Sequence, residues 1–173
     1  MVPVKAGGAV LKFDTSTFTQ TAGTITGVTV DEHGFGFTQP VVALTGGNPD
    51  PGRTATATAS GLVDDVQLVS GGSGYRSAAV VEFSMPDLPG VRATGSATLD
   101  SNGSVVAIQV DNPGSGYTQA PTVTIKDVDG LVGDAAVAKA TIDIESIDVT
   151  DAGQGYDSAP VVAITDAADA AGV

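Results

Sequence analysis

The sequence predicts an all-β protein made of four repeats of a three-stranded unit. One motif, Gly-x-Gly-aromatic, occurs four times: Gly34-Phe35-Gly36-Phe37, Gly72-Ser73-Gly74-Tyr75, Gly114-Ser115-Gly116-Tyr117 and Gly153-Gln154-Gly155-Tyr156. Its aromatic positions are 38, 42 and 39 residues apart, and self-similarity at such a period marks a repeat architecture. Ala (24), Val (24), Gly (23) and Thr (20) make up just over half of the 173 residues, whereas Leu and Ile supply seven each. That is the vocabulary of strands and turns. No segment combines a 3.6-residue apolar period with helix caps, and the tail Asp166–Gly172 offers one helical turn at most.

Each repeat reads as strands c, a and b. Before the first copy of the motif, Ala9–Thr17 stands where a strand c is expected. Strand a precedes each motif: Val28/Val30, Val66/Leu68, Ile108/Val110 and Ile147/Val149 flank the polar Thr29, Gln67, Gln109 and Asp148. This alternation of period 2 is that of a half-buried strand. The two glycines then make a sharp a/b connection, with the aromatic ring covering the end of the core. Strand b opens with Pro40, Ala79, Pro121 or Pro160 and alternates through Val42/Leu44, Val81/Phe83, Val123/Ile125 and Val162/Ile164. Proline is tolerated at a strand's first residue because no ladder bond is lost there.

Strand c follows a variable loop and alternates small residues with Thr, Ser and charge. Ala55, Ala57 and Ala59, then Ala93, Gly95 and Ala97, then Ala136, Ala138 and Ala140 form one face, which predicts a narrow interior. Short turns are expected to join c to the next a. Asn102-Gly103 points to a type I′ hairpin, which needs φ > 0 at both central residues. One repeat domain over residues 1–173 is expected, with units near 9–45, 54–84, 92–126 and 135–165. It is either a closed prism- or propeller-like ring or a short β-solenoid-like stack.

Composition excludes several chemistries. One His and no Cys rule out multi-histidine zinc sites, thiolate metal sites, cysteine nucleophiles and redox pairs. Seven Lys+Arg against twenty Asp+Glu give a net charge of −13, so neither nucleic acid nor anionic lipid is an expected partner. No apolar run reaches the length of a membrane span, and Met1–Lys5 is not followed by a secretory apolar segment, so no signal peptide or membrane insertion is expected.

The candidate sites are mostly structural. The motif lacks the third glycine and the following helix of a dinucleotide loop, so Gly34, Gly36, Phe37, Gly72, Gly74, Tyr75, Gly114, Gly116, Tyr117, Gly153, Gly155 and Tyr156 are expected to act as repeat turns. His33 occupies a turn position held by Gly71, Pro113 and Ala152 in the other copies, so no catalytic residue is assigned. Without Trp, and with its three Tyr in turns, the chain shows no aromatic sugar cleft. Asn102-Gly103-Ser104 matches a glycosylation sequon but is accounted for as a turn. Asp127, Asp129 and Asp134, with Gly130, place hard oxygens at alternate positions, a weak calcium pattern without the bidentate Glu of an EF-hand. No other cofactor is expected. The variable b/c loops at Gly46–Gly52, Met85–Gly90 and Asp127–Asp134 are where binding is expected.

Gly114-Ser115-Gly116-Tyr117-Thr118-Gln119-Ala120-Pro121-Thr122-Val123-Thr124-Ile125 resembles the G-S-G-Y-T-x-A-P-T-V-T-I repeats of bacterial secreted and surface proteins. Such repeats also occur in phage virion proteins and in non-catalytic extensions of large bacterial multicopper oxidases. The likeness runs from about Ile25 to Ile164. The first copy departs with Phe37 and one residue fewer before Pro40, and the second with Arg76 and Ala79. The resemblance implies a scaffold or interaction module. The expected function is that of a non-enzymatic structural or adhesive module of an extracellular, cell-surface or virion assembly. Its partners would be other protein subunits or a surface ligand. The alternatives are an accessory module of a secreted multicopper oxidase, whose copper-binding histidines have no counterpart here, and a calcium-dependent binding module.

Overall fold

The alternating segments become strands in the computed structural model, which describes residues 11–12, 18–21, 23–30, 33–76, 79–127 and 133–167. No helix forms among the described residues. The strands are β1 (Leu11–Lys12), β2 (Phe18–Thr21), β3 (Thr24–Val28), β4 (Pro40–Thr45), β5 (Thr56–Ser70), β6 (Ala79–Phe83), β7 (Thr94–Leu99), β8 (Val105–Asn112), β9 (Val123–Asp127), β10 (Val137–Asp151) and β11 (Val161–Asp166). They form sheets of order β1-β11-β4, β2-β3-β10-β5 and β8-β7-β6-β9, and none closes into a barrel.

Two expectations about the joints between c and a are corrected. The short turn expected between the c at Thr54–Ala59 and the following a does not exist, because β5 carries one straight into the other through Ser60-Gly61. β10 does the same for the third c and the fourth a. A Cβ on Gly61 would lie 1.7 Å from the Asp143 carbonyl oxygen, so this glycine admits a neighbouring strand rather than breaking its own. At Asn102-Gly103 the chain does reverse, but not in type I′ geometry. Gly103 has φ 76° while Asn102 is not in the left-handed region, and Gly103 N–H donates to Asp100 C=O at 3.2 Å. The ladder shifts register between Thr98 and Leu99. This is the turn-plus-bulge hairpin in which only the last residue needs φ > 0. The Asp100 carboxylate takes over the remaining donors, accepting Asn102 N–H and Ser104 N–H at 2.9 Å each.

The a/b connections join strands that are not neighbours in any sheet, as β8 and β9 show in the order β8-β7-β6-β9. The Gly-x-Gly segments are therefore arches between sheet positions. The chain groups into two compact units, Leu62–Ile142 and Met1–Gly61 with Asp143–Val173. Both boundaries fall within the long strands β5 and β10, at a joint between an expected c and a.

In the unit Leu62–Ile142, β6 pairs antiparallel with β7 (Val81 opposite Gly95) and with β9 (Val81 opposite Ile125). Tyr75, Ala79, Val105, Ile125 and Ala136 are buried, with Leu68, Ala97, Leu99, Ile108, Val123 and Ala138 packed against them. Each fully buried Val, Leu or Ile contributes about 2 kcal/mol. The interior is narrow, as the small residues of strand c predict: a Cβ on Gly95 would sit 3.2 Å from the Phe83 ring.

In the unit Met1–Gly61 with Asp143–Val173, β11 is the centre of its sheet. It pairs with β4 (Ile164 opposite Val42, Val162 opposite Leu44) and with β1 (Leu11 opposite Ile164). Ile164 and Val162 are buried, as are Ile25, Phe37, Leu44, Ile144 and Ile147. Thr56 and Thr150 hydroxyls lie 2.8 Å apart across β5 and β10, and Ser60 and Ser146 hydroxyls 2.9 Å apart.

Candidate functional site

The repeat-turn residues come together with the b/c loops at three junctions of the same construction. Each begins at a side chain two residues before the first glycine. Ser70 Oγ, Asn112 Oδ1 and Asp151 Oδ1 accept the N–H of Gly72, Gly114 and Gly153 at 3.5, 2.9 and 2.9 Å. Such local bonds are why Ser, Asn and Asp favour turns. The second glycine then takes a positive φ: 83° at Gly74, 81° at Gly116 and 76° at Gly155, matched by 80° at Gly36. L-residues rarely adopt this conformation, which explains its fixed place in all four copies.

The first glycine admits a backbone from elsewhere in the chain. A Cβ on Gly72, Gly114 or Gly153 would meet the carbonyl of Asp134, Val91 or Arg53 at 2.3, 2.4 or 2.5 Å. The residue between the glycines bonds to that same backbone. Ser73, Gln154 and Ser115 N–H donate to the carbonyls of Asp134, Arg53 and Val91 at 2.8, 2.9 and 2.8 Å. The b/c loops donate in return, from Gly133 N–H to Ser73 C=O, from Asp50 N–H to Gln154 C=O and from Leu88 N–H to Gly116 C=O. Ser115 Oγ and Ser73 Oγ accept Val91 N–H and Asp134 N–H at 3.1 and 3.2 Å.

The aromatic hydroxyl completes each junction. Tyr75, Tyr117 and Tyr156 are almost fully buried, and their oxygens accept the N–H of Ala136, Ala93 and Ala55 at 2.9, 2.9 and 2.7 Å. Tyr75 and Tyr117 pass the proton side on, donating to Ile125 C=O at 3.3 Å and Ser84 C=O at 3.2 Å. Tyr117 meets the strand c of its own unit, 92–126, whereas Tyr75 and Tyr156 each meet the strand c of the other's unit. Tyr75, in the second motif, meets the c that follows the third, and Tyr117, in the third, meets the c that follows the second.

Carboxylates fasten the segment after the ring. Asp127 Oδ2 accepts Arg76 N–H at 2.8 Å. Asp166 accepts Thr38 N–H at 2.6 Å and Gln39 N–H at 2.9 Å, and Asp87 accepts Thr118 N–H and the Gln119 side-chain amide at 3.2 Å each. At Asp87, burial opposes ionisation, but the bonds from Gln119 and Thr118 outweigh it and hold the carboxyl below its ordinary range. Neither Asp87 nor Asp166 stands out in the sequence, since their partners lie 31 and 128 residues away.

Of the calcium pattern, Asp127 is buried against Arg76, Asp134 is exposed beside the Ser73 turn, and Asp129 lies outside the described residues. Among the described residues no three His, Asp or Glu side chains gather as a metal-binding group. His33 is half exposed. Its Nδ1 lies 2.8 Å from Ile144 C=O and 3.9 Å from Asp143 Oδ1, so it braces the turn against β10.

The loop from Ser84 to Arg92 also presents a surface. Its backbone is held by Asp87, by Leu88 N–H and by the bonds to Ser115, and Arg92 Nε donates to Phe83 C=O at 2.6 Å. On this fixed frame Met85, Leu88 and Val91 stand exposed, at 68%, 37% and 57% of their free surface. Among the described residues no helix is long and apolar enough to cross a membrane. No family model matches the chain, and neither a curated protein nor a solved structure does.

Proposed function

We propose that the chain is a structural or adhesive module that works by presenting fixed loops to other protein subunits, outside the cytoplasm or on a virion. The four repeated three-stranded units supply the frame. The observation that carries this reading is the loop Ser84–Arg92, where three apolar side chains are held out on a backbone anchored at both ends. Preorganised apolar side chains are the economical kind of contact, because the ordering cost is met by folding rather than by binding. The remaining chemistry of the repeat supports the same reading, since the glycines, serines, tyrosines and carboxylates of the motif engage backbone groups of the fold.

Light scattering on the concentrated protein tests this. The expected result is a mass above that of one chain, which falls back when Met85 and Val91 are replaced together by Asp. A strictly monomeric wild type at the highest concentration it reaches would sink the assembling version of the proposal.

A further inference from the structure

The seat of β1 has a counterpart in the other unit, and the two differ in the aromatic residue of the motif that belongs to each. Leu11 lies opposite Ile164 and Lys12 opposite Ala163. In the other unit β7 runs along β6 in the same antiparallel sense, with Thr94 opposite Glu82 and Gly95 opposite Val81. Phe83 and Ile164 hold the same place in strand b, four residues after Ala79 and Pro160, so Leu11 stands where Ala93 stands. The N–H of Ala93 ends on the Tyr117 hydroxyl. Tyr117 belongs to the motif that leads into β9, the strand on the far side of β6. The strand on the far side of β11 is β4, and the motif leading into β4 ends in Phe37. Phe37 is buried like the tyrosines but carries no hydroxyl.

One further observation bears on this strand: residues 1–30 hold two lysines and one aspartate, a net +1, while residues 31–173 hold five cations and nineteen acids, a net −14. The segment is therefore drawn to the body of any copy, and β11 presents a backbone edge already matched to it.

We propose that β1 is an exchangeable strand: the edge of β11 accepts the Leu11–Lys12 segment of a second copy of this chain in place of its own and so joins copies by strand exchange. The occupant follows from the seat, because the strand resident there is one that every copy carries. Two chains that trade strands reciprocally close as a symmetric dimer, and chains that pass them on form an open series. This mode is independent of the loop Ser84–Arg92.

The chain contains no cysteine, which makes the test direct. Lys12→Cys is placed in one preparation and Ala163→Cys in another, and the two are mixed under mild oxidation. Strand exchange predicts a disulfide-linked heterodimer in excess of either homodimer. Phe37→Tyr in both preparations supplies the missing hydroxyl and should slow its formation about fivefold, as one added hydrogen bond would. The Met85→Asp/Val91→Asp background should leave the heterodimer unchanged. Absence of the heterodimer, homodimers in equal amount, an unchanged or faster rate in Phe37→Tyr, or loss of the product in the loop background would each overturn the proposal.

Discussion

The tyrosine hydroxyl is the smallest group on which this fold turns. Tyr117→Phe would keep the ring and its burial but strip the Ala93 N–H of its acceptor, and an unsatisfied buried donor costs about 2 kcal/mol. We expect denaturant unfolding of Tyr117→Phe to show that loss, and an unchanged midpoint would mean that another acceptor reaches Ala93. The sequence displays a ring at each motif but not the reason it is Tyr, because the donors lie 24, 61 and 101 residues from Tyr117, Tyr75 and Tyr156. Asp87 acts at the same scale. Burial works against its charge, yet bonds from Gln119 and Thr118 keep the carboxyl below its ordinary value. A carboxyl lowered in the folded state stabilises above its unfolded pKa, and that contribution is lost as pH falls through the folded value. Thermal melts should therefore drop more steeply for the wild type than for Asp87→Asn below about pH 4. At neutral pH Asp87→Asn should be the less stable of the two. Parallel curves would remove Asp87 from the acid response.

Among the elements, β5 and β10 differ most from what the letters suggest. A short turn is expected between each c and the next a, yet β5 runs through Ser60-Gly61 without one, and the glycine serves the close approach of Asp143 instead. Gly61→Ala should cost about 3 kcal/mol, because backbone has to move to admit one methyl group. Gly52→Ala is the control. It has φ 75° but open space around it, so only conformational strain of about 1 kcal/mol is expected. Equal losses for the two in chemical denaturation would contradict the steric account. Strand existence and facing were legible from period 2 between Pro40 and Asp166, down to the buried Ala55, Ala93 and Ala136, whereas β2 was not foreseen and β3 lies earlier than the expected Val28/Val30. The joints were not, because a glycine that turns a chain and one that admits a neighbour look alike in one dimension. The hairpin at Asp100–Gly103 shows the reverse case: its place was legible, while its turn type depended on the Asp100 carboxylate.

Across the whole molecule the net charge of −13 opposes compaction. Raising salt from about 0.01 to about 0.15 M shortens the screening length from about 30 to about 8 Å, so the melting temperature should rise over that range. A flat response would mean that the carboxylates are already relieved by their bonds to backbone N–H groups. All-β character was legible from composition and period, but the division into two units was not, since it depends on which motif reaches which strand c. Tyr75 meets the strand that follows the third motif, and Tyr117 meets the strand that follows the second. These pairings have a consequence for how such a chain grows by duplication. A copy of residues 92–126 would bring both a ring and the strand c that its ring meets, whereas a copy of 54–84 or of 135–165 would bring a ring whose strand lies in the other. Lineages of this chain should therefore gain or lose the first of these singly and the other two only as a pair.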